Sequence, residues 1–227
     1  MGAAGFGAYG KIPSIGDFFR LDPPPGFVSV WDTWLQRCLV SGTHTYGGQW
    51  DALYMSVPIW RFCLSPGLAG AGKSIGVLMP SVDRVGRRFP LTLMASLPSD
   101  GALLADHFSN ADLFAKLEEI ALATLDDETG RDGLAAALDG LAAPRAGTGA
   151  QVSQGADRMT LKQTGAEPDL LAALAGRSMP AHLRAPSVWS AQIEGDQRLL
   201  VCEGLPEGPN MQALFDFDAP VWAEEAT

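Results

Sequence analysis

The chain has 227 residues, 47% of them hydrophobic and 19% charged, with a formal net charge of −10. This composition excludes wholesale disorder, and no run approaches the ~20 apolar residues of a membrane-spanning helix. The negative charge disfavours nucleic acid and anionic membranes, because both would repel the chain at long range. We predict a single domain over residues 1–227, with no nucleic acid bound, no membrane insertion, and a basic or dipolar protein as partner.

Three cysteines stand far apart in apolar surroundings: Cys38, Cys63 and Cys202. An odd number at such spacing indicates neither a disulfide framework nor a metal site, so we expect buried thiols in a reducing compartment. The first residues lack the charged and apolar regions of a signal peptide. The sequence therefore predicts a cytoplasmic protein.

A strand, a polar loop and a helix are predicted first. The strand covers 5–10, and the loop at 11–20 carries three charged side chains: Lys11, Asp17 and Arg20. A proline-rich spacer precedes a helix over 27–39, where apolar residues recur at helical intervals. Its tryptophans share one face, which is typical of core packing against a sheet. A loop over 41–48, a short helix over 50–55 and a strand over 58–64 are expected next.

The Gly-rich segment 67–74 fits the pattern G-x-x-x-x-G-K-[ST] of phosphate-binding loops. That function requires a helix after the loop, so that its N-terminus and backbone N–H groups hold the phosphates. Residues 75–79, followed by Pro80, instead predict a strand. We therefore expect a hairpin connection. A nucleotide-binding protein that uses Lys73 and Ser74 stays open as the alternative function.

The most polar stretch lies between predicted buried strands at 75–79 and 91–97. It carries five hydroxyl or charged side chains: Ser81, Asp83, Arg84, Arg87 and Arg88. A carboxylate among guanidinium groups makes charge-assisted, bidentate hydrogen bonds. Two interpretations stay open. Asp83 and Arg87 form an ion pair that pins the loop to its strand ends, or the loop is a recognition surface held by rigid strands.

The second half of the chain predicts helices, a connection and a hairpin. The expected elements are a helix over 105–125, a helix over 132–141, a flexible Gly/Ala-rich connection at about 142–156, a weak strand over 159–163, a helix over 168–175, a hairpin from strands 187–193 and 198–202, and a closing helix over 209–215. Together these elements predict an α+β fold, a single three-layer α-β-α domain with a mixed, largely antiparallel central sheet.

Local signatures of catalysis do not occur in the sequence. The three histidines, His44, His107 and His182, are isolated, with none at the i, i+4 spacing of a zinc-binding helix. There is no G-x-S-x-G nucleophile elbow, and no cysteine has a recognisable catalytic flank. We expect no enzyme, no cofactor and no metal. A catalytic group assembled from distant residues stays open, because sequence spacing does not reveal it.

Five short motifs, taken together, resemble a known family. They are GxYGKIPSIGDF at 7–18, WDxWL at 31–35, PxWRF at 58–62, GVLMPSVDRVGRRFPL at 76–91 and SVW at 187–189. Their order and spacing resemble the TagF (ImpM) family of type VI secretion-associated proteins, most densely over the first hundred residues. The resemblance implies a cytoplasmic, non-enzymatic repressor that acts after translation on assembly of the secretion machine, through contact with its forkhead-associated scaffold protein.

A single hypothesis joins the residue patterns to this resemblance. We expect the loops at 11–20 and 80–88 to lie at the same sheet edge and to present their polar residues to a protein partner. The predicted partner-binding residues are Lys11, Asp17, Arg20, Ser81, Asp83, Arg84 and Arg87.

Overall fold

The computed structural model describes residues 5–126, 129–147, 151–154, 159–162, 170–193 and 195–223. Its strands are β1 Phe6–Gly10, β2 Phe19–Leu21, β3 Trp60–Leu64, β4 Lys73–Met79, β5 Leu91–Leu97, β6 Gln151–Gln154, β7 Met159–Lys162, β8 Pro186–Ile193 and β9 Asp196–Glu203. Its helices are α1 Phe27–Tyr46, α2 Trp50–Ser56, α3 Leu103–Ser109, α4 Ala111–Ala123, α5 Arg131–Asp139, α6 Leu170–Arg177 and α7 Pro209–Gln212.

Seven strands form one open sheet in the order β2-β1-β5-β4-β3-β8-β9, and helices cover both faces. The predicted α+β, three-layer architecture is confirmed. Every pairing among these seven strands is antiparallel, so the predicted mixed sheet is not what forms. Short hairpins join β3 to β4, β4 to β5 and β8 to β9, and a short connection can only return the chain antiparallel.

Aromatic side chains fill the layer between α1 and the sheet. Trp31 lies 4.7 Å from Trp34 and 4.9 Å from Phe62, and Trp34 lies 5.3 Å from Trp189, measured between ring centroids. The indole N–H of Trp31 donates to the hydroxyl of Thr92 at 2.8 Å, which satisfies the polar atom of a ring with no exposed surface. The predicted core role of these tryptophans is confirmed.

The opposite face packs against α3, α4 and α5. Strand alternation divides β3 between the two layers: Phe62 points to α1, and Cys63 points to the face that contains Phe114 and Leu117 of α4. Cys38, Cys63 and Cys202 are buried and free. Burial raises the pKa of the Cys38 and Cys63 thiols, which keeps both groups protonated at neutral pH.

Helix α1 continues to Tyr46, so the loop predicted over 41–48 is wrong. The Ser, Thr and Gly residues that indicated a loop occupy the far turns of the helix, where tertiary packing overrides weak helix propensity. Gly42 is buried against the ring of Trp50, which occupies the space of a side chain: a Cβ at position 42 would lie 2.2 Å from that ring.

The long helix predicted over 105–125 is two helices, α3 and α4, that meet at Asn110. The backbone of Asn110 leaves helical geometry, with φ −110° and ψ 24°. Its side-chain amide donates to the backbone oxygens of Asp106 and Arg145 and accepts from the Arg145 backbone N–H. Asparagine side chains compete in this way with helical hydrogen bonds, and the result is a break where apolar periodicity predicts continuity.

The C-terminal predictions have mixed outcomes. The hairpin at 187–202 is confirmed as β8 and β9, although position 194 lies outside the described residues. The connection predicted at about 142–156 contains β6, which pairs with β7 as a separate two-stranded sheet. Backbone pairing there does not require the large apolar residues whose scarcity predicted a connection. Helix α6 begins at Leu170, and the first two positions of the helix predicted over 168–175 lie outside the described residues.

Among the residues that the structure describes, no helix is both long and apolar enough to cross a bilayer.

Candidate functional site

The two polar loops lie together at one end of the sheet. Strands β1 and β4 both pair antiparallel with β5, so their C-terminal ends meet at the same end, and each loop begins there. The backbone N–H of Arg84 donates to the Ile15 carbonyl at 3.1 Å, and the Arg87 guanidinium donates to the Gly16 carbonyl at 2.7 Å. The predicted proximity of the loops is therefore observed.

A buried carboxylate holds the second loop in shape. Asp83 accepts hydrogen bonds from Lys11 Nζ at 2.9 Å, Arg87 Nε at 2.7 Å, and the backbone N–H groups of Val85 and Arg87. Burial opposes ionisation, but the hydrogen bonds from Lys11, Arg87 and Val85 outweigh it and hold the pKa of the Asp83 carboxyl below its usual range. Gly86 closes the turn with φ 81°. Of the two interpretations of Asp83 and Arg87, the ion pair is the observed contact.

Three of the predicted partner-binding residues are buried beneath the two loops. Lys11, Ser81 and Asp83 are 5%, 1% and 2% exposed, respectively. The Lys11 ammonium lies 4.7 Å above the ring of Phe18. The Tyr54 hydroxyl accepts from the Ser81 backbone N–H and donates to its carbonyl. In this conformation these side chains support the loops and do not reach the outer surface.

The other four predicted residues, Asp17, Arg20, Arg84 and Arg87, are exposed. Two apolar side chains that the sequence reasoning missed lie among them. Phe18 is 47% exposed and Val85 is 69% exposed. The available signal was the placement of each between charged residues in a polar loop. We call these six residues, Asp17, Phe18, Arg20, Arg84, Val85 and Arg87, the loop-pair surface.

Aromatic packing fixes Phe18 in place. Its ring contacts Phe89 edge-on at 4.7 Å and stacks with Tyr9 at 6.3 Å. The Tyr9 hydroxyl donates to the Asp32 carboxylate on α1, and burial followed by that contact raises the Tyr9 pKa. The Arg20 guanidinium lies over the Tyr9 ring at 5.6 Å. Phe18 is thus an exposed ring whose position is fixed by Tyr9, Phe89 and Lys11.

The segment 67–74, whose sequence matches the phosphate-binding pattern, does not have the geometry of a phosphate-binding loop. Residues 65–72 connect β3 to β4 as a hairpin, and Lys73 lies on β4 with no helix following it. Lys73 Nζ donates to Asp106 Oδ2 at 2.7 Å and to the Gly101 carbonyl. The Asp106 carboxylate is buried and also accepts from Ser99 and the Gly147 backbone. The predicted hairpin is confirmed, and Lys73 joins β4 to α3.

The described part of the chain contains no cluster of three or more His, Cys, Asp or Glu residues that could hold a metal ion. The isolated His107 is buried, with its Nε2 2.8 Å from the Ser190 hydroxyl. The chemistry that the loop-pair surface offers is guanidinium hydrogen bonding around exposed apolar side chains.

These features define the class of the protein: an α+β protein with an antiparallel sheet between helices and two polar loops joined at one end of the sheet. Residues 7–141 match the family model of the TagF N-terminal domain, described as type VI secretion system-associated, and the match includes both loops. The chain therefore belongs to the TagF family, and it is a type VI secretion-associated protein.

A solved structure extends the similarity beyond the matched domain. The crystal structure of PA0076 from Pseudomonas aeruginosa PAO1 is 30% identical in sequence, with a TM-score of 0.76 over 98% of this chain and 99% of that chain. No curated protein matches.

Proposed function

We propose that this protein is a non-enzymatic repressor of type VI secretion system assembly. It acts after translation, in the cytoplasm, by binding a forkhead-associated scaffold protein of the secretion machine. The observation that carries the proposal is the exposure of Phe18 and Val85 on loops that the buried Lys11–Asp83 ion pair fixes. The type VI association of the family supplies the cellular setting.

Rigid loops favour protein binding, because a surface that is already ordered loses little conformational entropy when a partner docks. The loop-pair surface has this property. A backbone hydrogen bond joins the two loops, and the Asp83 carboxylate accepts hydrogen bonds from the backbone N–H groups of Val85 and Arg87 in the second loop. Aromatic and arginine side chains also dominate the energetics of protein interfaces. Phe18, Arg84 and Arg87 are of these types.

The internal use of the ionisable groups supports a role without catalysis. The Asp83 and Asp106 carboxylates each bind a lysine inside the fold. Burial, together with the charge of Arg61, lowers the pKa of His107 to about 3, so its ring is neutral at physiological pH. Nε2 of His107 contacts the half-buried Ser190 hydroxyl, but the buried Nδ1 has no hydrogen-bond partner among the described residues, so this pair lacks the acidic group that orients a catalytic histidine.

The test uses a strain that assembles the secretion machine and carries a fluorescent sheath protein. Raised levels of this protein should reduce the number of assembled sheaths while the sheath protein itself remains at its normal level. The purified protein should also bind the purified forkhead-associated scaffold in calorimetry. Unchanged sheath assembly, or no binding to the scaffold, contradicts the proposal.

A further inference from the structure

We infer that the loop-pair surface binds an acidic segment of its partner, in which an apolar side chain lies beside carboxylates. This inference rests on the proposed function and specifies the chemistry of the contact. The whole chain carries a net charge of −10, yet residues 11–20 and 80–88 contain five Lys or Arg and two Asp. The overall charge favours a basic or dipolar partner, and the local charge selects the acidic end of a dipolar one.

Arg84 is the cation of the loop-pair surface that is most available to bind a carboxylate of the partner. Its guanidinium makes no hydrogen bond or ion pair with the residues that the structure describes, whereas Arg87 and Arg88 are paired with Asp83 and Asp51. A planar guanidinium matches a carboxylate in a bidentate arrangement. Arg61 already makes that arrangement with Glu118, at 2.6 and 2.7 Å. The partner would supply to Arg84 what Glu118 supplies to Arg61.

Gly16 sets the position of the Arg84 guanidinium. A Cβ at position 16 would lie 3.1 Å from the Arg84 Nη2, closer than most real contacts. The absence of a side chain lets the guanidinium rest on the first loop, next in sequence to Asp17 and Phe18. The cation and the aromatic ring are therefore presented together, which lets one acidic and apolar segment contact both.

A second copy of this chain does not fit the same surface. An isologous dimer places a patch against itself, so the four exposed arginines of the two loops, Arg20, Arg84, Arg87 and Arg88, would face the same four in the other copy. Like charges in an interface oppose association. The charge pattern thus favours a different protein as the occupant.

The experiment places the photo-crosslinking residue p-benzoylphenylalanine at position 18 and, as a control, at position 40. Val40 is 71% exposed on α1, comparable to Val85. After irradiation with the purified scaffold protein, mass spectrometry identifies the crosslinked segment. We expect a crosslink from position 18 to a segment rich in Asp and Glu, and little from position 40.

Charge reversal supplies an independent measurement. Arg84→Glu should weaken scaffold binding by about tenfold or more and reduce the dependence of the affinity on salt. Arg184→Glu, at an exposed arginine outside the two loops, should leave both unchanged.

The outcomes separate the two proposals. Failure of the unsubstituted protein to bind the scaffold contradicts the proposed function, and this inference with it. Three results contradict this inference alone, provided that the unsubstituted protein binds the scaffold. They are a crosslink from position 18 to a neutral or basic segment, no crosslink from position 18, and equal effects of the two arginine substitutions.

Discussion

Lys11 and Asp83 are separated by 72 positions in the chain, and their charged atoms meet 2.9 Å apart in the interior. The lysine comes from the loop after β1 and the carboxylate from the loop after β4. This ion pair therefore ties the two loops into one surface, and the position of Phe18 depends on it through the Lys11 ammonium above its ring.

Lys11→Met should destabilise the fold. The substitution leaves a carboxylate whose side chain has no exposed surface without its buried cation, and breaking one side of a buried pair is strongly unfavourable. We expect the melting temperature to fall by at least about 5 °C. Arg87→Gln is the matched variant, because the Arg87 side chain is 59% exposed, and it should cost much less. Equal losses in calorimetric melts would contradict this assignment.

Lys73→Met should destabilise the protein in the absence of any nucleotide. Lys73 pairs with the buried Asp106, so its removal should lower the free energy of unfolding by about 3–5 kcal/mol, measured by urea denaturation. Millimolar ATP or GTP with magnesium should leave the melting temperature of the unsubstituted protein unchanged, since a ligand raises it only by binding the native state. A nucleotide-dependent rise that Lys73→Met abolishes would restore the phosphate-loop interpretation.

Two glycine substitutions in helices should act in opposite directions. Gly42→Ala places a Cβ 2.2 Å from the Trp50 ring, and overpacking of this kind costs about 1–3 kcal/mol. Gly133→Ala in α5 meets nothing within 4 Å and should stabilise the protein by about 0.5–1 kcal/mol, because alanine favours helix. Denaturant titrations of both variants test the packing of α1 on α2. Stabilisation by both would mean that Gly42 does not contact Trp50.

Acid should weaken the fold partly through His107. Burial and the charge of Arg61 hold its pKa at about 3, below the usual 6.5, so between these values the unfolded chain binds a proton that the native protein excludes. The contribution of neutral His107 to the free energy of unfolding is fully present above pH 6.5. It decreases by about 1.4 kcal/mol per pH unit as pH falls toward 3. His107→Gln should show a shallower decline in denaturation free energy over this range. Parallel declines would contradict a neutral, buried His107.

Most strands could be predicted from the sequence, because their apolar runs are bounded by Gly and Pro, but β2 overlaps a predicted loop and β6 lies in a predicted connection. The meeting of the two loops was expected as a hypothesis, and the strand order that explains it is known only from the structure. The interruption at Asn110 could not be predicted. It depends on a backbone segment at Arg145, 35 positions away, and apolar periodicity carries no information about such a contact. The continuation of α1 past residue 41 depends likewise on Trp50.

The sequence predicted which residue types form the candidate site, but it did not predict which of these side chains are buried. Lys11, Asp83 and Arg84 are all charged loop residues, yet the first two are buried and the third is exposed. Which of them faces inward is decided by the ion pair between the loops, which exists only in the folded protein. Phe18 and Val85, which the sequence reasoning did not single out, lie exposed on the same two loops.

The most direct measurement is the affinity of the forkhead-associated scaffold for Val85→Glu and Val40→Glu. The two valines are 69% and 71% exposed, so both variants should melt close to the unsubstituted protein. We predict that Val85→Glu weakens binding by at least about tenfold, because it places a carboxylate in the apolar part of an interface that accepts acidic groups, and that Val40→Glu binds normally. Unchanged affinity for Val85→Glu, with both variants folded, would contradict the assignment of the loop-pair surface as the binding site.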